Sequence, residues 1–218
     1  MGDRLDTMPA KRIHLVRHGE VYNPGGVLYG RLPNFHLSDT GHAMAKETAE
    51  QLKLMAPNVK AIYCSPLVRA QESAKPIEAI FGLDAKIDEK LIEPHNVFEG
   101  RKLSAKAIAT KPHWWWHFRN PAKPAWGESF KEIIARMHSA IVQASESVLE
   151  GDVVLVTHQL PIWVMHLSAN GKKLMHDPRK RRCALSSITT FEIHDGKLVE
   201  VGYLDPASNL ASIDKGAV

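Results

Sequence analysis

Hydrophobic positions in this chain fall into two kinds of run. Short, nearly continuous ones occur at Ile13–Arg17, Val59–Cys64 and Asp152–Thr157 ("DVVLVT"), the pattern of strands covered on both faces of a sheet. Between them the apolar residues recur at helical spacing. Leu37-Ser38 opens a helix predicted through about Met55, with Ser38 as N-cap. Ser65-Pro66, a cap residue followed by proline at the first helical position, opens a second, with Ala70, Ala74, Ile77 and Phe81 along one face. Ser129 and Glu132 form a capping box ahead of an apolar stripe of Phe130, Ile133, Ile134, Met137, Ile141, Ala144 and Val148, and Gly151 stops that helix. Pro161 starts a fourth, whose Ile162, Trp163, Val164, Met165 and Leu167 are apolar all round and predict burial. The chain closes with two strands about Asp195-Gly196, a strong hairpin signal.

Alternating strands and helices predict a three-layer α/β/α fold with a mostly parallel central sheet and a C-terminal β-hairpin. Leu91–Gly100 reads as a loop, and Lys111–Trp126 is rich in Pro and Trp without periodicity. No internal repeat or low-complexity segment interrupts the pattern. One domain is expected over residues 1–218, with about 91–128 forming a cap-like insertion.

Composition narrows the class only modestly. A hydrophobic content of 44% with 24% charged residues suits a chain that buries a substantial core. A net charge of +4 suits a small anionic substrate without demanding nucleic acid. Cys64 and Cys183 lie far apart, which argues against a disulfide framework or a cysteine zinc site. No apolar run reaches membrane-spanning length, the start "MGDRLDTMPAKR" lacks a secretory apolar core, and Asp6 breaks the myristoylation pattern. A cytoplasmic location, with no membrane or nucleic-acid partner, is the expectation.

The candidate chemistry lies at strand ends. Arg17-His18 ends the first strand, Arg69 lies in the first turn after the second, and His158 ends "VVLVT". Ligands of open parallel sheets bind beyond the carboxyl ends of the strands. Helix N-termini near Pro66 and Pro161 face the same edge and favour an anion. Any one of the 12 histidines is weak evidence alone; two arginines and two histidines at equivalent places are not.

The segments "LVRHGEVYN", "YGRLPNFHLSDTG", "CSPLVRAQES", "LIEPHNVFEG", "WGESFKEIIARM" and "LVTHQLPI" resemble, in this order, the histidine phosphatase (phosphoglycerate mutase-like) superfamily. The resemblance runs from about Ile13 to Leu160 and implies a phosphoglycerate mutase-like fold. It implies that His18 is the nucleophile that takes the phosphoryl group, that Arg17 and Arg69 hold the phosphate, and that His158 is the pocket's second histidine. Glu93 matches the acid that protonates the leaving oxygen, and Asn23 the phosphate-pocket asparagine. Arg31 and Gln159 are counted with the substrate- or phosphate-binding set. No cofactor and no metal are implied.

The physical logic of such a site is independent of the family. A phosphoryl group in transit spreads charge over its oxygens, so catalysis is mainly positioning and electrostatic stabilisation. Arginine's planar fork binds two oxygens and keeps its proton. His18 must attack as neutral imidazole, which neighbouring guanidinium groups favour, whereas Glu93 must keep a proton.

A phosphomonoester hydrolase of the histidine acid phosphatase type is the leading expectation. Glycolytic mutases resemble one another at "E-R-H-Y-G" around the acid, whereas this chain has "EPHNVF", with Pro94 where a basic residue would hold a substrate carboxylate. Mutase-type phosphoryl transfer, or a non-catalytic anion-binding protein on the same scaffold, are the alternatives. Val21 stands where the family usually has Ser or Thr, and Gln159 where glycine is common. His113 and His117, at i, i+4, lack an evident third metal ligand. The basic run within "DPRKRRC" is either a solvated loop or a source of arginines reaching back to a distal carboxylate or second phosphate. An open hairpin edge makes a homodimer a further expectation.

Overall fold

The structure, a computed structural model, describes residues 10–102, 127–195 and 197–210. Strand β1 (Arg12–Arg17) is followed by α1 (Asp39–Met55), β2 (Val59–Cys64), α2 (Val68–Phe81), β3 (Ala85–Ile87) and a 3-10 turn at Glu89–Leu91. Then come α3 (Phe130–Glu146), β4 (Asp152–Thr157), α4 (Gln159–Ala169), a 3-10 turn at Pro178–Lys180, and the hairpin of β5 (Ile188–His194) and β6 (Lys197–Leu204). The strands form one sheet in the order β3-β2-β4-β1-β5-β6. Strands β1 to β4 pair in parallel, and β5 is antiparallel to both its neighbours.

Strand periodicity sends alternate residues to opposite faces. Ile13, Leu15, Val153 and Leu155 join Ile133, Met137 and Ile141 of α3 and Ile162 and Met165 of α4. Val16, Ile62, Val154 and Val156 join Leu52 of α1 and Ala70, Ala74 and Ile77 of α2. Helices therefore cover both faces, as the continuous apolar strands require. All six residues of β4 are buried, and each fully buried Leu, Ile or Val contributes about 1.5–3 kcal/mol.

Helix starts differ from the sequence reading in two places, and the site explains both. Helix α2 begins at Val68 with an extended Leu67 as N-cap and no side-chain cap. Ser65 is not the cap, because its hydroxyl bonds Nε2 of His158 at 2.7 Å. Helix α4 begins at Gln159 with His158 as N-cap. Pro161 is its third residue, where the missing N–H would have had no intrahelical acceptor. Ser38 and the Ser129/Glu132 box cap α1 and α3 as expected. Helix α3 ends at Glu146, earlier than Gly151, whose φ of +88° turns the chain into β4.

The short polar strand β3 has no signal in the sequence. At the other edge, β6 exposes Val199 and Val201. Lys111–Trp126, with His113 and His117, lies outside the described residues, as does Gly196 of the hairpin turn. Among the described residues no helix is long and apolar enough to cross a membrane.

Two glycines weld the β1 end to α1. A Cβ on Gly19 would lie 2.5 Å from the Gly41 carbonyl oxygen, and one on Gly41 would lie 2.0 Å from that of Glu20. Gly41→Ala is expected to destabilise the fold by about 3 kcal/mol, the upper part of the usual overpacking range, lowering the urea midpoint. An unchanged midpoint would show that the contact is not tight.

Candidate active site

Parallel pairing sets the site. Arg17 of β1 is in register with Thr157 of β4, so the next residues, His18 and His158, emerge side by side with ring centroids 5.1 Å apart. The His18 amide donates to Thr157 O at 3.1 Å, which holds the two strand ends together. A small cavity of about 30 Å³ lies over them, lined by Arg17, His18, Tyr29, Arg69, Glu93, Gln159 and Arg181.

The two innermost arginines are almost fully enclosed, with relative exposures of 0% for Arg17 and 1% for Arg69. Main-chain oxygens hold both: Arg17 Nη1 donates to Cys183 O at 2.6 Å, and Arg69 Nη2 to Gly30 O at 2.6 Å. Arg69 also lies 4.8 Å from the Tyr29 ring centre, over its face. Its Nη1 is buried without a hydrogen-bond partner among the described residues. An enclosed donor left in that state is costly, and an anion in the cavity would satisfy it.

His18 is oriented on three sides. Its Nδ1 faces Gly19 O at 2.8 Å. A carbonyl only accepts, so Nδ1 carries the hydrogen and Nε2 keeps its lone pair. Arg69 Nε donates to that Nε2 at 3.3 Å. Ser73 braces both residues, accepting from Gly19 N at 3.0 Å and donating to Arg69 O at 2.8 Å. Ser186, held at a φ of +58°, donates its amide to His18 O at 3.2 Å. Burial, then Arg69 and Arg17, keep the His18 pKa well below the usual 6.5. His158 is shifted the same way by burial, Arg69 and His18. Both shifts favour neutral rings, and the His18 Nε2 lone pair points to Arg69 Nε at the edge of the cavity.

Glu93 is tuned in the other direction. Burial raises its pKa above 4.5, although Arg69, Arg181, Arg136 and Arg17 pull it down. Its Oε2 lies 3.9 Å from Nδ1 of His158. Arg31 Nε donates to its backbone oxygen. Thr157 Oγ1 reaches Leu91 O at 2.6 Å, and Arg136, paired with Glu128, bonds Lys90 O, so β4 and α3 together anchor the acid's loop.

The structure thus gathers Arg17, His18, Arg69, Glu93 and Gln159 around one cavity, with His158 directly behind. Asn23 and Arg31 are placed differently. Asn23 closes its own loop, donating to Val27 O at 2.8 Å and accepting from Val27 N at 3.2 Å. Arg31 braces the acid loop from outside the cavity wall. Val21 makes an isolated bridge to Leu37 and also stays outside. Tyr29, Ser73 and Arg181 were not singled out from sequence, and Ser65 was read only as a helix cap. Arg181 lay unresolved within a basic run; Tyr29 and Ser73 had no signal beyond membership of the matched segments.

A sequence model described as the histidine phosphatase superfamily (branch 1) matches residues 13–206. The chain belongs to the histidine phosphatase superfamily. An uncharacterized protein of Mycobacterium tuberculosis is 48% identical over 199 residues, 90% of this chain and 97% of that one. A 2,3-bisphosphoglycerate-dependent phosphoglycerate mutase of Thermoplasma acidophilum is 36% identical over 80 residues, covering 36% and 39%. Among solved structures, a mycobacterial glucosyl-3-phosphoglycerate phosphatase in complex with VO3 superposes with a TM-score of 0.72 at 25% identity, covering 88% of this chain and 96% of that one. Superfamily membership agrees with the mixed α/β architecture and its mostly parallel sheet.

The depressed histidines link this site to acid stability. Their folded pKa values lie below the unfolded value of 6.5, so the unfolded chain takes up protons that the folded chain refuses. The contribution is complete above about pH 6.5 and is lost as pH falls below it toward the folded values. In a buffer free of phosphate, the melting temperature should drop between pH 7 and 5. The drop should be shallower in a His18→Asn/His158→Asn variant; equal slopes would contradict neutral burial.

Proposed function

We propose that this protein is a phosphomonoester hydrolase working through phosphohistidine at His18. The observation that carries this reading is the paired state of one nitrogen and one guanidinium. His18 Nδ1 is tied to Gly19 O while its Nε2 faces Arg69, whose Nη1 is buried and unpartnered among the described residues. A phosphate ester entering there meets the Nε2 nitrogen beside a strong donor, Arg69. Arg17 and Arg69 hold the phosphate oxygens, with the second histidine, His158, backing His18 from behind the cavity. Glu93, whose raised pKa favours its protonated form, gives its proton to the leaving alcohol and then draws one from the water that attacks phosphohistidine. Proton, phosphoryl group and water balance without a metal or cofactor.

The similarity to a phosphatase at 25% identity supports hydrolysis. So does Pro94, buried directly after Glu93 where glycolytic mutases carry a basic residue. The partial match to a mutase keeps phosphoryl transfer as the second reading. In the hydrolytic reading the substrate is a small cytoplasmic phosphomonoester.

Hydrolysis of para-nitrophenyl phosphate in chelator should be measurable for the wild type and vanish in His18→Ala. Activity that survives in the variant would mean a different nucleophile. Transfer between two hydroxyls without release of inorganic phosphate would favour the mutase. Glu93→Gln should lose about 10²–10⁴ in rate on alkyl phosphates and far less on nitrophenyl phosphate, whose phenolate needs little protonation. Equal losses on both would remove Glu93 from the acid role.

A further inference from the structure

The cavity holds one more cation than a phosphate site needs. Of the run Arg179-Lys180-Arg181-Arg182, the first and last arginines are neutralised locally, Arg179 by Asp177 and Arg182 by Glu200. Arg136, near the acid loop, is likewise paired with Glu128. Arg181 alone of these turns into the cavity wall. Its partners are neutral: Nη1 donates to Gln159 Oε1 at 3.2 Å, and Nε to His176 Nε2 at 2.9 Å.

His176 is itself fixed for that role. Its Nδ1 faces Leu174 O at 2.7 Å, so Nδ1 bears the hydrogen and Nε2 must accept. The ring is packed against Phe130 and Trp163, with centroids 5.6 and 5.9 Å away. Burial and Arg181 keep its pKa below 6.5. Two acceptors therefore set the direction of the Arg181 fork without cancelling its charge. Among the described residues no carboxylate pairs with it at contact distance; Glu93, across the same cavity, acts on it only through space.

We propose that Arg181, aimed by Gln159 and His176, binds a second anionic group of the substrate, a carboxylate or a further phosphate, beside the phosphate held at His18. This rests on the reading of the cavity as a phosphate-ester site and narrows its substrates to phosphomonoesters with two anionic ends. It also gives Gln159 a purpose: at the first position of α4, its carbonyl oxygen steadies the arginine instead of contacting phosphate.

Binding to the non-hydrolysing His18→Ala protein tests this by calorimetry with two matched pairs of ligands. 3-Phosphoglycerate against glycerol 3-phosphate isolates a carboxylate, and fructose 1,6-bisphosphate against fructose 6-phosphate isolates a second phosphate. Adding Arg181→Gln should weaken the dianionic-ended member of one pair about 10- to 100-fold, the range of a charge-assisted hydrogen bond. The matched monophosphate should change less than threefold, and Arg181→Lys should restore part of the loss. The pair that responds identifies the group. Equal weakening of both members, or no weakening, overturns the proposal. Should Arg181→Gln fail to fold by circular dichroism, Arg181→Met replaces it with the same expectations. A folded His18→Ala protein that binds none of the four ligands would instead refute the phosphate-ester site itself.

Discussion

Two guanidinium groups buried at the end of a parallel sheet and gripped by main-chain oxygens are the constraint from which this site follows. Burying such a charge costs several kcal/mol unless strong acceptors surround it. Here the acceptors are main-chain oxygens of Cys183 and Gly30, which partly screen the charge without cancelling it. The residual positive potential has consequences in every direction. It helps burial keep His18 and His158 neutral, and it draws Glu93 back from the larger upward shift that burial alone would impose. A cavity so arranged is preorganised for an anion and keeps His18 unprotonated, the state in which an imidazole can attack phosphorus.

The supports of these groups come from every part of the fold. Ser73 of α2 ties Gly19 to Arg69, Thr157 of β4 ties down the acid loop, and Ser65 after β2 faces His158. None of these three hydroxyls lines the cavity. They convert rigid elements into fixed directions for the groups that do, which is how a site on loops attains the precision usually found on helices and strands.

Much of this was legible in the sequence, for reasons specific to each element. Strands β1 and β4 are covered on both faces, so their apolar runs are unbroken and end abruptly at Arg17-His18 and Thr157-His158. Helices α1 and α3 carry caps that chemistry alone identifies. The structure departs from the sequence reading where a side chain has two uses. Ser65 has the chemistry of an N-cap but bonds His158, and the side chain of Asn23, expected at the pocket, bonds the Val27 backbone. Arg181 was invisible for another reason: four adjacent basic residues look alike until the backbone decides which one turns inward. Strand β3 is too short and too polar to leave a periodic trace.

The segment between α4 and β5 supplies Arg181, then the Cys183 carbonyl that grips Arg17, then the Ser186 amide that holds His18. Three functions lie within six consecutive residues of one unbroken stretch. Inserting or deleting a residue between 181 and 186 would move the cavity-lining Arg181 side chain and the clasp on His18 together. Divergence among related chains can therefore proceed by exchanging the side chain at position 181, while the length of this stretch stays frozen by the histidine it steadies.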